Sequence, residues 1–362
     1  MKKLDRYILY KFLSTFIFCL LLFTVIAMAV DSSERTDDFV NSGLTTSQLI
    51  KQYYFGFVPF IWGLLFPLFV FLAVIYFTSR MASRSEIIAI LASGVSFKRF
   101  LRPYIVGGLL LASIMWVATN FVIPKANRIK SNFEAKFINR NDPGSSQNYR
   151  AVHYFRADSN SFVGIHYFDT ATKSSGIMFL NRLKNDKIVY NLRAESMKWD
   201  TTKHNWKLIN VTERFVDSMR ETVSFLPEKN LNLNIKPEEL AKDNYLKEKL
   251  TTPDLRKFIR NEEQRGSEGL NTYKVEKYRR DASAASVFIL SMIAVFISSR
   301  KVRGGSGVHM AIGIIIASVY IMSDKFSSVF SIKGNLSPLL AAWLPNIVFS
   351  IIALWLFRKA LK

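Results

Sequence analysis

The chain has 362 residues, 49 of them basic and 28 acidic, for a formal net charge of +21, yet 49% of it is hydrophobic and 14% aromatic. A soluble chain seldom joins so large a charge to so much apolar matter. The apolar residues also fall in blocks, which indicates a membrane protein and excludes disorder, collagen and coiled coil. Cys19 is the single cysteine and sits inside an apolar block, so neither a disulfide framework nor a thiolate metal site can form, and the four histidines are scattered.

A basic excess also suits nucleic acid, but that requires Lys and Arg on one face with aromatics for stacking. Here the cations flank the apolar blocks, as expected from the bias of membrane proteins toward cationic cytoplasmic loops. No nucleic-acid partner is expected.

About 20 apolar residues cross a bilayer. Six segments meet that length or approach it: Ile8 to Val30, Tyr53 to Phe77, Tyr104 to Ile123, Ala282 to Ser298, Val308 to Met322 and Leu339 to Phe357. The first is too long and too poor in small-residue cleavage signals for a signal peptide, and Lys2, Lys3, Arg6 and Lys11 mark its leading flank as cytoplasmic. Pro59 and Pro67 in the second would break a water-exposed helix, but in a bilayer neighbouring helices satisfy the freed carbonyls, so a kink is expected. Arg80, Arg84, Lys98, Arg99 and Arg102 against Glu86 make the loop after the second span cytoplasmic. Arg300, Lys301 and Arg303 do the same after the fourth span, and Arg358, Lys359 and Lys362 at the C-terminus. The acid-bearing segments after spans one and five, with Asp31, Glu34, Asp37 and Asp38 in the first and Asp324 in the second, then lie outside.

The organisation predicted is three spans in residues 1–123, a polar insert over 124–281 on the outer side, and three spans in 282–362. The insert is too long and too patterned for a linker. Ala151 to Arg156, Phe162 to Phe168, Gly176 to Leu183 and Lys187 to Leu192 read as strands, and Trp199 and Trp206 bracket a turn-rich hairpin, so a sandwich or jelly roll is expected. Thr252-Pro253-Asp254 then starts an amphipathic helix over 253–265, with Thr252 as its cap and Leu255, Phe258 and Ile259 as its stripe.

Charges inside the spans would mark ion coupling, and the central parts carry almost none. No phosphate-cradling loop with its lysine occurs, so any ATPase would have to be a separate subunit. No nucleophile has an evident base, and His153 and His166 lack metal-ligand spacing, so no catalytic or metal residues are assigned. A docking element is legible in the cytoplasmic loop, where residues 84–95 form an amphipathic helix. Ile87, Ile90, Leu91, Gly94 and Val95 share one face, and Arg84 is left for the other. Glu86 has two readings: with Ser83 it completes a capping box, or it meets a partner. Lys277, Arg279 and Arg280 before span four, with Arg35 after span one, offer cations to an anionic headgroup or else snorkel at the interface. Phe23, Phe66 and Phe69, with Ile316 and Tyr320, are candidates for a lipid path, although rings in such spans also serve as packing.

The order of parts resembles the lipopolysaccharide-export permeases of the LptF/LptG (YjgP/YjgQ) type. The resemblance rests on Leu4-Asp5-Arg6-Tyr7-Ile8, on Ser83-Arg84-Ser85-Glu86 through Ala92-Ser93-Gly94, on Tyr273 to Glu276 with Arg280, and on Leu340 to Asn346. The opening residues and the Arg303 to Asp324 stretch look closer to the LptG half. The resemblance implies an α-helical polytopic protein of the inner membrane of a Gram-negative bacterium, with six transmembrane helices and an inserted β-rich, jelly-roll-like periplasmic domain. It implies a second, LptF-like half-permease, a cytoplasmic LptB-like ABC ATPase dimer holding ATP and magnesium, and LptC-like and LptA-like bridge proteins. Lipopolysaccharide is the cargo, this chain binds no cofactor and is not itself an enzyme, and Glu86 matches the acid that meets the ATPase. Some members carry lysines after span one where this sequence has acids. The alternatives are a permease for another lipid or lipoprotein, and a non-transporting scaffold for periplasmic partners.

Overall fold

A computed structural model describes residues 3–138, 153–158, 160–166, 168–169, 172–185, 187–201, 204–217, 220–233, 237, 246–266, 269–302 and 305–360. Arg303, which the topology reading uses, lies outside them, as does the beginning of the strand expected from Ala151. The chain divides into two compact units, one of residues 1–130, 247–255 and 271–362, the other of residues 131–246 and 256–270.

Among the described residues six helices are long and apolar enough to cross a membrane, and all or most of each lies in the first unit: Lys3–Glu34, Thr46–Ser83, Phe97–Ile138, Leu270–Ser298, Gly305–Lys333 and Pro338–Ala360, here spans one to six. Span two continues through both Pro59 and Pro67, as expected where neighbours satisfy the freed carbonyls. Its stretch Phe69 to Ile75 is buried on every side, with Ile8, Phe12 and Phe16 of span one and Val287 and Ile293 of span four in the same core. Apolar matter gains little by leaving lipid, so close packing and hydrogen bonds hold such a bundle. At Gly56 an added Cβ would stand 2.6 Å from the backbone of Ala126 and of Lys130, which lets two helices touch where no side chain fits. Trp62 Nε1 donates to Thr24 Oγ1 at 2.8 Å, and Thr78 Oγ1 to the Tyr104 hydroxyl at 3.0 Å, so the buried polar groups pair across helices.

Two helix starts differ from expectation. Ser83 does not cap the helix expected over 84–95, because span two runs through Ser83 and its hydroxyl donates one turn back to the Arg80 carbonyl at 2.9 Å. Ser85, in the left-handed conformation with φ of 60°, turns the chain instead, and the helix is Glu86–Ala92, shorter than residues 84–95. Glu86 is then the first helical residue, where its charge favours the helix dipole and no capping box forms. Likewise the helix Thr252–Arg265 is preceded by Thr251, whose hydroxyl donates to the Asp254 carboxylate at 2.5 Å and whose carbonyl accepts from Leu255 N–H at 2.8 Å. Thr251 therefore takes the cap position, because the Thr252 hydroxyl is engaged by Arg280. The expected stripe is present, with Leu255 and Ile259 buried.

The second unit holds an antiparallel sheet of β1 His153–Asp158, β2 Ser161–Ile165, β3 Phe168–Asp169, β4 Ser174–Ser175, β5 Met178–Lys184, β6 Lys187–Asp200, β7 Asn205–Val216 and β8 Glu221–Leu231. One edge of β6 is shared by β5 along its first half and by β4 near Met197, while its other edge pairs with β7. Trp199 and Trp206 face each other across the expected hairpin with ring centroids 5.0 Å apart. In β7 the inward positions are Trp206 and Leu208, then Val211 and Glu213. Asn210, with φ of 52°, lies between the two pairs and shifts the alternation by one residue. This brings Glu213 inward, where the Tyr190 hydroxyl and the Lys229 ammonium both donate to it.

Candidate functional site

Spans two, four and five enclose a cleft of about 660 Å³, counting its open mouth. Arg279, Ser283, Ser286 and Leu290 recur every three or four residues along span four and so form one wall. Ala317, Tyr320 and Asp324 repeat the pattern on span five, with Ile321 and Lys325 beside them, and Gly63, Leu64, Pro67 and Leu68 supply the wall from span two.

Span four is held in rotation by the residue next to Arg279. Arg280 is 4% exposed and gives Nη1 to Thr252 Oγ1 and Nη2 to the Lys247 carbonyl, both at 2.9 Å, and Nε to Glu276 at 3.3 Å. Asp281 accepts from Trp116 Nε1 at 2.9 Å. Successive helical residues point about 100° apart, so anchoring Arg280 leaves Arg279 on the cleft. Tyr320 is fixed too. Its hydroxyl donates to Asn346 Oδ1 at 2.9 Å, Asn346 Nδ2 donates to the Ala282 carbonyl at 2.6 Å, and the Tyr320 ring stands edge-on to Phe349.

Three charges therefore line one cleft: Arg279, Lys325 and Asp324. Among the described residues none of their side chains has a hydrogen-bond or ion-pair partner, although Glu276 most strongly, then Asp324 and Glu248, attract Arg279 at a distance, and Arg279 repels Lys325. Burial, and then the like charge of Glu276, push the Glu248 carboxyl above the ordinary glutamate range.

Of the headgroup candidates, then, Arg279 lines the cleft. Arg280 does not, because its guanidinium is used inside the fold. Lys277 lies over the Tyr278 ring at 4.7 Å. Arg35 pairs with Asp31 at 3.0 Å, and Asp31 also accepts from the Tyr53 hydroxyl at 2.9 Å. Of the lipid-path candidates, Tyr320 lines the cleft. Phe66 and Phe69 are buried in the bundle core and Ile316 packs against it, while Phe23 is partly exposed and stacked on Phe69. In the helix Glu86–Ala92, Ile87 is buried and Ile90 packs on the core, whereas Leu91 is exposed, as are Gly94 and Arg84 beyond its ends, and Glu86 is half-buried. Ser283, Ser286, Asp324 and Lys325 join the site only in the fold. Their helical spacing with Arg279 and Tyr320 is the signal that the sequence offers for them.

Six membrane-length helices with a β-sheet domain inserted between the third and fourth define a multi-pass membrane protein whose bundle holds a charged cleft. The profile of the lipopolysaccharide export system permease LptF/LptG matches residues 6–359, and the chain belongs to that family. It is 20% identical over 296 residues to the lipopolysaccharide export system permease protein LptG of Escherichia coli strain K12, covering 81% of each chain, and equally to LptG of Escherichia coli O6:H1. Both relatives are the LptG half, the half that the opening residues resemble.

Proposed function

We propose that this chain is the LptG-like half of an inner-membrane permease that extracts lipopolysaccharide and passes it to a periplasmic bridge, driven by a cytoplasmic ABC ATPase that holds the ATP and magnesium. The observation that carries this reading is the cleft, in a chain of the export permease family, that presents Arg279 and Lys325 beside apolar walls. Cations that make no hydrogen bond or ion pair within the fold suit phosphates, and Leu64, Leu68 and Leu290 suit the acyl region of the same lipid. Both termini and the helix Glu86–Ala92 face the cytoplasm in this reading, where the cationic loops belong. Glu86, which no capping box engages, is free to meet an arginine of the ATPase, and an LptF-like half and LptC-like and LptA-like proteins complete the assembly.

The test is ATP-dependent release of lipopolysaccharide from vesicles holding the complete complex. Arg279→Gln with Lys325→Gln should reduce lipid binding and release at least tenfold while the complex still assembles. Undiminished release would reject the cleft as the lipid site. Glu86→Gln and Glu86→Ala should both weaken ATPase association about tenfold, the size of a lost charge-assisted hydrogen bond. Normal association of the Gln variant would reject the ion pair.

A further inference from the structure

The cleft is not uniformly cationic. Asp324 lines it together with Arg279 and Lys325, and among the described residues it forms no hydrogen bond or ion pair with either cation. Adjacent helical residues do not face each other, so Lys325 does not pair with Asp324 along span five. Arg279 acts on Asp324 at a distance, but among the described residues the two do not form an ion pair. The acid is half-buried and the cleft is walled largely by apolar groups. A carboxylate in such a place costs free energy unless something pairs with it. Glu276 and Glu248 attract Arg279 and Lys325 from farther off, but among the described residues Arg279, Lys325 and Asp324 make no hydrogen bond or ion pair, so the complement is an object carrying both signs of charge.

We infer that Asp324 is a specificity-determining residue. It receives an ammonium group borne on a phosphate that Arg279 and Lys325 hold, so the cleft prefers phosphorylated glycolipids whose phosphate is esterified with an amine-bearing group over the same lipids with bare phosphates. The inference rests on the reading of the cleft as the headgroup site and refines its ligand. A bare phosphate monoester carries about 1.5 to 2 negative charges near neutrality, and Asp324 repels it. The amine-bearing diester carries one negative and one positive charge, and its ammonium turns that repulsion into a pair. The same phosphate and ammonium occur together in an ethanolamine phospholipid of the bilayer, so the test separates the two sources.

Binding is measured on the full complex in nanodiscs. The probes are a diphosphorylated glucosamine-disaccharide lipid, the same lipid with one phosphate carried as the ethanolamine ester, and phosphatidylethanolamine. The wild-type complex should prefer the esterified glycolipid about fivefold, the scale of one partly exposed ion pair. Asp324→Asn should weaken binding of the esterified lipid and strengthen that of the bare lipid, and Asp324→Glu should restore the preference. Asp324→Asn that shifts both glycolipids alike, or neither, overturns the inference. Retention of phosphatidylethanolamine equal to that of the esterified glycolipid, and equally dependent on Asp324, overturns the glycolipid assignment. The Arg279→Gln, Lys325→Gln variant tells the two layers apart. If it still binds both glycolipids, the headgroup reading falls and this inference with it. If it loses both while Asp324→Asn treats them alike, the reading stands and the inference alone falls.

Discussion

Span two buries seven consecutive residues from Phe69 to Ile75, whereas β6 buries Leu192 and Ala194 and leaves Arg193 and Glu195 in solvent. The first pattern belongs to a helix with neighbours or lipid all around it, the second to a strand with one dry face. In the bundle apolar residues are so abundant that they say little about position, and the polar ones, Thr24, Thr78, Arg280 and Asn346, mark where helices meet. In the sheet the reverse holds, and Trp206, Leu208 and Val211 mark the interior. Breaking the bundle should therefore require removal of a polar group or intrusion on a small one, and breaking the sheet should require an apolar truncation.

The largest effect is expected from Arg280→Gln, which leaves Glu276, Thr252 and the Lys247 carbonyl without their buried cation and should cost about 3–5 kcal/mol. Protease cutting near Leu246 to Leu255 reads it, and wild-type resistance would show that the anchor contributes nothing. Leu208→Ala, at a position 0% exposed in the sheet core, should cost about 2–5 kcal/mol and unfold the β domain first. Tryptophan emission checks it in a full chain whose other four tryptophans, Trp62, Trp116, Trp343 and Trp355, are replaced by Phe so that only Trp199 and Trp206 report. Gly56→Ala drives a Cβ against the backbone of Ala126 and Lys130 and should cost about 1–3 kcal/mol, seen as a lower midpoint in detergent melts. Glu248→Gln tests a subtler point. The folded carboxyl holds its proton more tightly than the unfolded one, so the stability this adds is complete below the ordinary glutamate range. It is lost as pH rises to the raised value, and is flat above it. The Gln variant should lack that decline, and an unchanged melting profile across mildly acidic pH would contradict it. The smallest effect is expected from Lys207→Ala on β7, because its 2.7 Å pair with Glu228 is exposed on both sides and is worth below about 1 kcal/mol.

The spans are legible in the sequence because an apolar run of such length fits little except a bilayer, and the Trp199–Trp206 hairpin because turn residues flanked by aromatics state their own geometry. The helix starts are not, since each depends on a competitor outside the local motif. Thr252 looks like a cap until Arg280, 28 residues on, takes its hydroxyl. Ser83 looks like one until span two extends to include it. Arg279 and Arg280 are indistinguishable as letters, and one residue of helical rotation sends one to the cleft and the other into the fold. The cleft unites residues from Gly63 to Lys325, and only packing brings them together. The alternation of β7 hides Glu213 because the shift at Asn210 depends on one backbone angle.

The contacts joining the first two spans bear on how the chain is made. Asp31 with Tyr53, and Ser32 with Tyr54, are hydrogen-bonded pairs only 22 residues apart, and Trp62 reaches Thr24 across 38. Such short closures form early, and every partner has been synthesised before span two ends at Ser83. The two-helix hairpin can be stapled during synthesis. Span five, which completes the cleft, begins at Gly305 and follows roughly 10 to 45 seconds later at about 5–20 residues per second. The first hairpin therefore serves as the template on which the charged cleft is later assembled, so Arg279, Asp324 and Lys325 enter a bilayer that already holds one wall of their site.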